Sequence, residues 1–235
     1  MHSTAAHTDP RVRWFAEDRF GMFIHWGLYS SPAGIWQGRK MKHPYAEWLQ
    51  GSEPVTRAEY QRLAAVFNPT GFDAERWVRD AKGAGMRYLV ITAKHHDGFA
   101  LWPTRASRYN VMDATPFRRD ILGELAAACA KFGLKLGFYY SHWQDWEGTG
   151  GDICKSHIDF AEYVHPAPEA FARYWREKCL VQVRELIDAY DPWLLWFDTW
   201  NRESFGYVTP ERQEELITLI REGSGKCLVN SRIQF

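Results

Sequence analysis

Short apolar runs alternate along the chain with longer segments in which apolar residues recur every three or four positions. The short runs are nearly continuous in apolar residues, as expected of strands buried on both faces of a parallel sheet. Such strands are predicted at Gly21–Trp26, Tyr88–Ala93, Lys135–Tyr140, Trp193–Phe197 and Cys227–Asn230. The longer segments predict helices at Phe72–Ala84, Arg119–Phe132, Pro168–Tyr190 and from the Thr209-Pro210 cap to Gly223. Strands that alternate with helices indicate an α/β protein. We find no repeat, low-complexity tract or linker, which predicts a single domain over residues 1–235.

Each apolar run ends in polar residues that a hydrophobic core would not select. These residues are His25, Lys94 to Asp97, Tyr140 to His142, Asp198, and Asn230 to Arg232. The carboxyl ends of parallel strands form one rim, and that rim holds the active site in α/β folds. A closed barrel points all of these ends at one pocket, so we predict a (β/α)8 TIM-like barrel. An eight-stranded barrel takes about 250 residues, and only five strands are visible, so the barrel is expected to be incomplete at its C-terminal end.

Composition and charge exclude several classes of partner. The formal net charge is +0 and the pI is about 7.1, and no cluster of Lys and Arg marks a surface for nucleic acid or an anionic membrane. No segment has the roughly 20 apolar residues that span a bilayer, and the polar N-terminus lacks a signal peptide. The chain as written therefore looks cytoplasmic, although secretion remains open if a signal was removed. The sequence does not indicate an oligomeric state.

The four cysteines are widely spaced and form no CxxC pair. They are Cys129, Cys154, Cys179 and Cys227. This spacing indicates neither a zinc site made of cysteines nor a disulfide framework.

Asp198 is the first candidate for chemistry. It follows a run of five apolar residues, and a carboxylate in that position loses hydration unless a function or a partner requires it. From position alone, a helix cap or a salt bridge explains it equally well. Arg232, one strand further along, could hold such a carboxylate ionised through a charge-assisted hydrogen bond.

Two adjacent histidines, His95 and His96, follow another strand. Neighbouring residues of a strand point to opposite sides, so at most one should face inward unless the strand has ended. With His25 and Asp198 they could form a metal site of a metal-dependent hydrolase, but no HExxH motif supports this alternative. Neutral imidazoles are equally suited to binding sugar hydroxyls.

Six stretches occur in order between about Trp14 and Arg232: Arg19–Gly27 (RFGMFIHWG), Tyr45–Leu49 (YAEWL), Phe67–Asp73 (FNPTGFD), Ala93–Phe99 (AKHHDGF), Phe138–Trp146 (FYYSHWQDW) and Leu195–Thr199 (LWFDT). Together they resemble the signatures of glycoside hydrolase family 29, the α-L-fucosidases. The resemblance implies a cofactor-free retaining glycosidase that releases terminal α-L-fucose from fucosylated oligosaccharides or glycoconjugates.

The resemblance also implies roles for individual residues. Asp198 would be the nucleophile. Substrate would be bound by His25, Glu47, Trp48, His95, His96, Tyr140 and Arg232, with Tyr140, or alternatively its neighbour Tyr139, lying near the nucleophile.

The family's acid/base is usually a glutamate on a loop after the nucleophile strand. Glu203 and Glu147 lie on loops of the expected rim, but neither matches a family motif, so no acid/base is assigned. A fucose-binding fragment with little turnover therefore remains an alternative function.

Overall fold

The computed structural model describes residues 10–148, 150–151, 166–198 and 206–233. The strands within these ranges are β1 (Gly21–Ile24), β2 (Ile35–Trp36), β3 (Arg39–Lys40), β4 (Tyr88–Lys94), β5 (Lys135–Tyr140), β6 (Leu194–Phe197) and β7 (Leu228–Val229). Five of them form one sheet in the order β1-β4-β5-β6-β7, and all four pairings are parallel. The antiparallel hairpin β2-β3 stands apart from this sheet. The predicted parallel strands are confirmed, whereas the hairpin was not predicted.

The α-helices of the described residues are α1 (Pro10–Asp18), α2 (Leu49–Ser52), α3 (Arg57–Gln61), α4 (Ala74–Gly83), α5 (Ile121–Phe132), α6 (Pro168–Tyr174), α7 (Leu180–Tyr190) and α8 (Pro210–Gly223). A π-helical turn at Trp175–Cys179 joins α6 to α7, so the helix predicted at Pro168–Tyr190 is continuous but locally widened. In the part of the chain that the structure describes, no helix has the length and apolarity to cross a membrane.

The ends of the predicted helices follow from local chemistry. Asp73, Asp120 and Thr209 each accept a hydrogen bond from the backbone N–H three residues further on, which satisfies a donor of the first helical turn. Gly133 closes α5 with φ of 72°, a conformation that glycine adopts at little cost.

The two faces of the parallel sheet pack against different partners. Leu136, Phe138 and Tyr140 of β5 belong to the large core that includes the helices, whereas Tyr139 belongs to a second cluster on the opposite face. This alternation follows from the two-residue period of a strand.

Helix α1 was not predicted, and it packs against the second cluster. Trp14 and Phe15 contact this cluster at Tyr88, the first residue of β4, with ring centroids 5.9 and 5.4 Å away. Because Tyr88 begins its strand, α1 covers the amino-terminal end of the sheet. The opposite end, where the polar residues lie, stays clear of this helix.

The described cysteines Cys129, Cys179 and Cys227 are buried and form no disulfide. Burial raises the pKa of each thiol to about 12, so they act as small apolar residues. Cys154 lies outside the described residues.

Candidate active site

Asp198 lies directly after β6 and presents a carboxylate that is only 18% exposed. Its Oδ2 atom accepts a hydrogen bond of 2.8 Å from the Tyr139 hydroxyl. Its Oδ1 atom pairs with the guanidinium of Arg232, which lies in the turn just after β7. A cation and a phenolic donor on one carboxylate favour its ionised form and restrict its orientation. The predicted proximity of Asp198 and Arg232 is therefore present in the structure.

Both histidines of the predicted pair are buried at this end of the sheet. The pairing of β4 with β5 shifts register between Thr92 and Lys94, and β4 ends at Lys94. Because the strand has ended, His95 and His96 do not alternate, and their rings lie 4.2 Å apart. Both imidazoles can therefore belong to one site.

His96 is held in a defined tautomer. The Ser141 hydroxyl donates to the Gln144 carbonyl oxygen at 2.8 Å, so it accepts from His96 Nδ1 at 2.7 Å. The proton of the neutral ring is thereby assigned to Nδ1, and Nε2 becomes a hydrogen-bond acceptor. Nε2 lies 4.0 Å from Oδ2 of Asp198, too far for a hydrogen bond between them.

His95 is a neutral, buried imidazole. Burial, and next the neighbouring His96 and His25, lower the pKa of His95 well below its ordinary value. Its ring stacks on Tyr139 with centroids 5.3 Å apart and planes 12° apart. Among the described residues, its Nδ1 atom has no hydrogen-bond partner. Buried polar atoms rarely lack partners, so this nitrogen is suited to a ligand hydroxyl.

His25 and Glu47 are two further predicted site residues, and both side chains are at least partly exposed to solvent. His25 follows β1 directly, and its ring lies 5.7 Å from that of His95 and 5.4 Å from that of Tyr139. The surrounding protein lowers the pKa of His25, and the nearby Glu47 carboxylate partly opposes this shift. The structure thus places His25 beside the buried His95, and Glu47 near enough to His25 to affect its pKa.

Two tryptophans form one wall of the site. The Trp48 ring lies 5.0 Å from His96 and 5.5 Å from Trp146, which is completely buried. The Trp146 backbone N–H donates to the His96 carbonyl oxygen at 2.7 Å. Trp48 was predicted as a site residue, whereas Trp146 was not, although it ends the FYYSHWQDW stretch.

The placement of Tyr140 beside Asp198 is wrong, and its neighbour Tyr139 lies there instead. Its hydroxyl donates to Oε1 of Gln182 in α7 at 2.8 Å, on the helix-facing side of the sheet. Tyr139 takes the expected position against Asp198, because adjacent residues of β5 face opposite sides. Strand alternation was the signal that distinguishes the two, since Tyr140 shares its parity with the core residues Leu136 and Phe138.

A buried ionic cluster lies behind the site and consists of Lys94, Asp145, Lys178 and Glu147. Oδ2 of Asp145 pairs with the ammonium groups of Lys94 at 2.8 Å and Lys178 at 2.7 Å, and all three side chains are nearly or fully buried. Lys178 also pairs with Oε2 of Glu147, and the other Glu147 oxygen accepts from Ser107 at 2.7 Å. Glu147 is thus already committed to structural partners. Glu203, the other glutamate considered, lies outside the described residues.

The metal-site alternative gains no support from this arrangement. Across residues 10–148, 150–151, 166–198 and 206–233, no three His, Cys, Asp or Glu side chains are grouped as metal ligands would be. The rings of His25, His95 and His96 instead lie edge to face or tilted against one another.

Comparison with known proteins identifies the same family as the sequence motifs. The profile of the family described as alpha-L-fucosidase matches residues 2–235. The rat tissue α-L-fucosidase is 32% identical over 197 residues, which cover 80% of this chain and 40% of the relative. The chain therefore spans about 40% of the length of this curated relative.

Solved structures of α-L-fucosidases share the fold. The Lactobacillus casei enzyme in complex with its α-L-fucose product is 39% identical, with a TM-score of 0.84 over 96% of this chain and 71% of that chain. The enzyme from Vibrio sp. strain EJY3 is 37% identical, with a TM-score of 0.83 over 97% of this chain and 39% of that chain. On the combined evidence of the motifs, the family profile and these structures, the chain belongs to the α-L-fucosidase family, glycoside hydrolase family 29.

Proposed function

We propose that this protein releases terminal α-L-fucose from fucosylated glycans by a retaining mechanism with Asp198 as the nucleophile. The observation that carries the proposal is the Asp198 carboxylate, which is oriented by Tyr139 and Arg232 at the rim of a parallel sheet and lies 4.0 Å from the buried His96. Support also comes from relatives, because the Lactobacillus casei enzyme was solved with α-L-fucose, and a variant of it with Fucα(1,6)GlcNAc.

The first chemical step is attack of the Asp198 carboxylate on the anomeric carbon of fucose. The bond from this carbon to the leaving-group oxygen breaks, and a fucosyl ester forms on the carboxylate. Water then attacks the same carbon and releases fucose with its original configuration. A second carboxyl group must protonate the leaving oxygen and later accept a proton from water. We leave this acid/base unassigned, because both oxygens of Glu147 are engaged elsewhere.

The histidines and their neighbours are proposed to bind the fucose ring. His95 and His96 are suited to its hydroxyls, because neutral His95 has an Nδ1 atom without a partner among the described residues and His96 presents an acceptor near Asp198. His25, Glu47 and Trp48 would complete this set of contacts. The ring centroids of Phe23 and Trp196 lie 5.5 Å apart, and these two side chains form an apolar patch.

That patch is proposed to receive the fucose methyl group, since Trp196 packs against the second cluster and Phe23 contacts Trp196. Burying one methyl group there stabilises the complex by about 0.8 kcal/mol.

An aryl α-L-fucoside with a good leaving group tests the proposal. Such a phenolate leaves without a proton donor, so the first step depends on the nucleophile alone. Intact-mass measurement should show the protein plus one fucosyl group, together with phenolate release, and the adduct should be absent from Asp198→Ala. Rapid steady release would show that the chain also has a working base. An adduct that persists would instead identify the alternative of a fucose-binding protein with little turnover. A folded protein that gives neither adduct nor phenolate would refute the proposal.

Tyr139 and Tyr140 form a matched pair of variants. Tyr139→Phe removes a hydrogen bond to a charged carboxylate, which is worth about 1.5–3 kcal/mol, so kcat/KM should fall about 10- to 100-fold. Tyr140→Phe removes the bond to Gln182 on the other face and should leave kcat/KM within about threefold while lowering the melting temperature. Steady-state kinetics with the aryl fucoside measures both. Equal losses of activity in the two variants would contradict the assignment of Tyr139.

A further inference from the structure

A series of aromatic rings continues from the wall of the site toward the surface. It begins at the buried Trp146 and passes to Trp48, whose ring is 5.5 Å away. The next ring is His43, at 5.7 Å from Trp48, and the last is Tyr45, at 5.3 Å from His43. Exposure increases along the series, from 0% for Trp146 to 58% for Tyr45. We call the outer pair, His43 and Tyr45, the outer aromatic platform.

The backbone that carries this platform is anchored at both ends. Met41 is buried and its N–H donates to the Gly34 carbonyl oxygen at 2.9 Å, and Leu49 is completely buried. Between them, the Tyr45 N–H donates to His43 Nδ1 at 3.2 Å, and the Tyr45 carbonyl oxygen accepts from the Trp48 N–H at 3.2 Å. The backbone that carries the two rings is thus fixed by hydrogen bonds, while the Tyr45 side chain stays exposed.

A single exposed tyrosine is ordinary on a protein surface. This tyrosine differs because its ring contacts His43, which in turn contacts Trp48. The Trp48 ring lies 5.0 Å from His96 at the candidate site. Flat aromatic faces bind the C–H faces of pyranose rings, and a tyrosine presents a large rigid surface at a small entropic cost. A ligand that fills the site and continues outward would therefore reach this platform.

We propose that the outer aromatic platform is a subsite for a sugar of the glycan other than the fucose. This inference rests on the proposed function, because it assumes that fucose occupies the site beside Asp198. The fucose would be held by the histidines, while the second sugar would stack on Tyr45 and His43. The platform would thereby favour oligosaccharides over free fucose without taking part in bond cleavage.

Binding measurements in an Asp198→Ala background test the subsite without turnover. Isothermal titration calorimetry would compare free α-L-fucose with disaccharides in which fucose is joined to GlcNAc or galactose through each linkage. Adding Tyr45→Ala should weaken the tightest disaccharide about tenfold, equivalent to about 1.4 kcal/mol, and leave the Kd of fucose within twofold. Tyr45→Phe keeps the ring and should retain the affinity. Val66→Ala is the control, because Val66 is also exposed but makes no ring contact with this series.

Each outcome separates the subsite from the function on which it rests. If fucose itself fails to bind the folded protein, the proposed function is wrong. If fucose binds but no disaccharide binds more tightly, or if Tyr45→Ala weakens fucose and disaccharide equally, the subsite is wrong and the proposed function is untouched. A selective loss for the disaccharide, restored by Tyr45→Phe, establishes the subsite.

Discussion

Replacing Asp198 with alanine is expected to lower kcat for an aryl α-L-fucoside by about 10⁴-fold or more. Loss of a nucleophile that acts together with its neighbours typically removes most of the catalytic advantage, on the order of 10⁴- to 10⁶-fold. The reason here is specific, because Asp198 is the carboxylate that both Tyr139 and Arg232 orient. Alanine leaves these two groups without their acceptor and leaves the anomeric carbon without an attacking atom. Initial-rate measurement of phenolate release checks the loss.

Azide provides the control for this variant. The space left by the carboxylate should admit azide, which would attack the anomeric carbon from the same side and restore phenolate release. The product would be β-L-fucosyl azide, identifiable by NMR, because attack from that side inverts the α-configuration. Wild-type protein should show no such stimulation. If Asp198→Ala retained more than about a tenth of the wild-type kcat, the nucleophile would have to be another residue.

Asp145→Asn is expected to lower the free energy of unfolding by about 3–5 kcal/mol, the range found when one partner of a buried ion pair is removed. Asp145 is fully buried between the ammonium groups of Lys94 and Lys178. An amide of the same shape would remove the negative charge between two buried cations, of which Lys178 keeps its pair with Glu147 and Lys94 keeps only neutral partners such as the Tyr174 hydroxyl among the described residues. Asp80→Asn is the matched control, because the Asp80 side chain is 72% exposed beside Arg76. Its effect should stay below about 1 kcal/mol. Denaturant unfolding of both variants measures the difference.

The dependence of the free energy of unfolding on pH, measured at acid pH, tests the contribution of the buried ionic cluster. Burial by itself would raise the pKa of Asp145, but Lys178 and Lys94 more than compensate and lower it to about 2. Its ordinary value is 3.8, so the folded state binds this proton more weakly than the unfolded state does. The resulting stabilisation is complete above about pH 4 and disappears as the pH falls toward 2. Asp145→Asn should therefore show a weaker loss of stability over this interval than the wild type, and an identical loss would contradict the assignment.

The buried ionic cluster also has a consequence for the site. Asp145 precedes Trp146, whose ring packs on Trp48 and His96. The Trp146 carbonyl oxygen accepts from Gln50 and Arg57, which ties this loop to the segment that carries Trp48. A change at Asp145 therefore acts on the site through the position of this wall and not through contact with substrate.

Much of the fold could be predicted from local sequence patterns. The five parallel strands and the capped helices α4, α5 and α8 occur where apolar spacing and capping residues indicated them. Such features depend on interactions within a few residues, so a single sequence contains their signal. Helix α1 could not be predicted in this way, because it is short and its packing residues Trp14 and Phe15 contact residues that are distant along the chain.

Part of the candidate site could likewise be predicted from the sequence. The polar residues at the strand ends, and the resemblance to the fucosidase motifs, located Asp198, Arg232, Trp48 and the three histidines by sequence alone. The choice between Tyr139 and Tyr140 follows from the alternation of β5, which is a local signal, because Tyr140 shares its parity with the core residues Leu136 and Phe138.

Other features were decided only by the tertiary structure. Both His95 and His96 reach the site because of the register shift at the end of β4, and no local pattern encodes how one strand pairs with the next. The buried ionic cluster joins Lys94 to Asp145 and Lys178, which are 51 or more positions away along the chain. The sequence determines which residues are apolar, charged or able to cap a helix. Which distant charges meet, and which ring faces the carboxylate, depends on the pairing and packing of whole elements, because those contacts form only when the elements assemble.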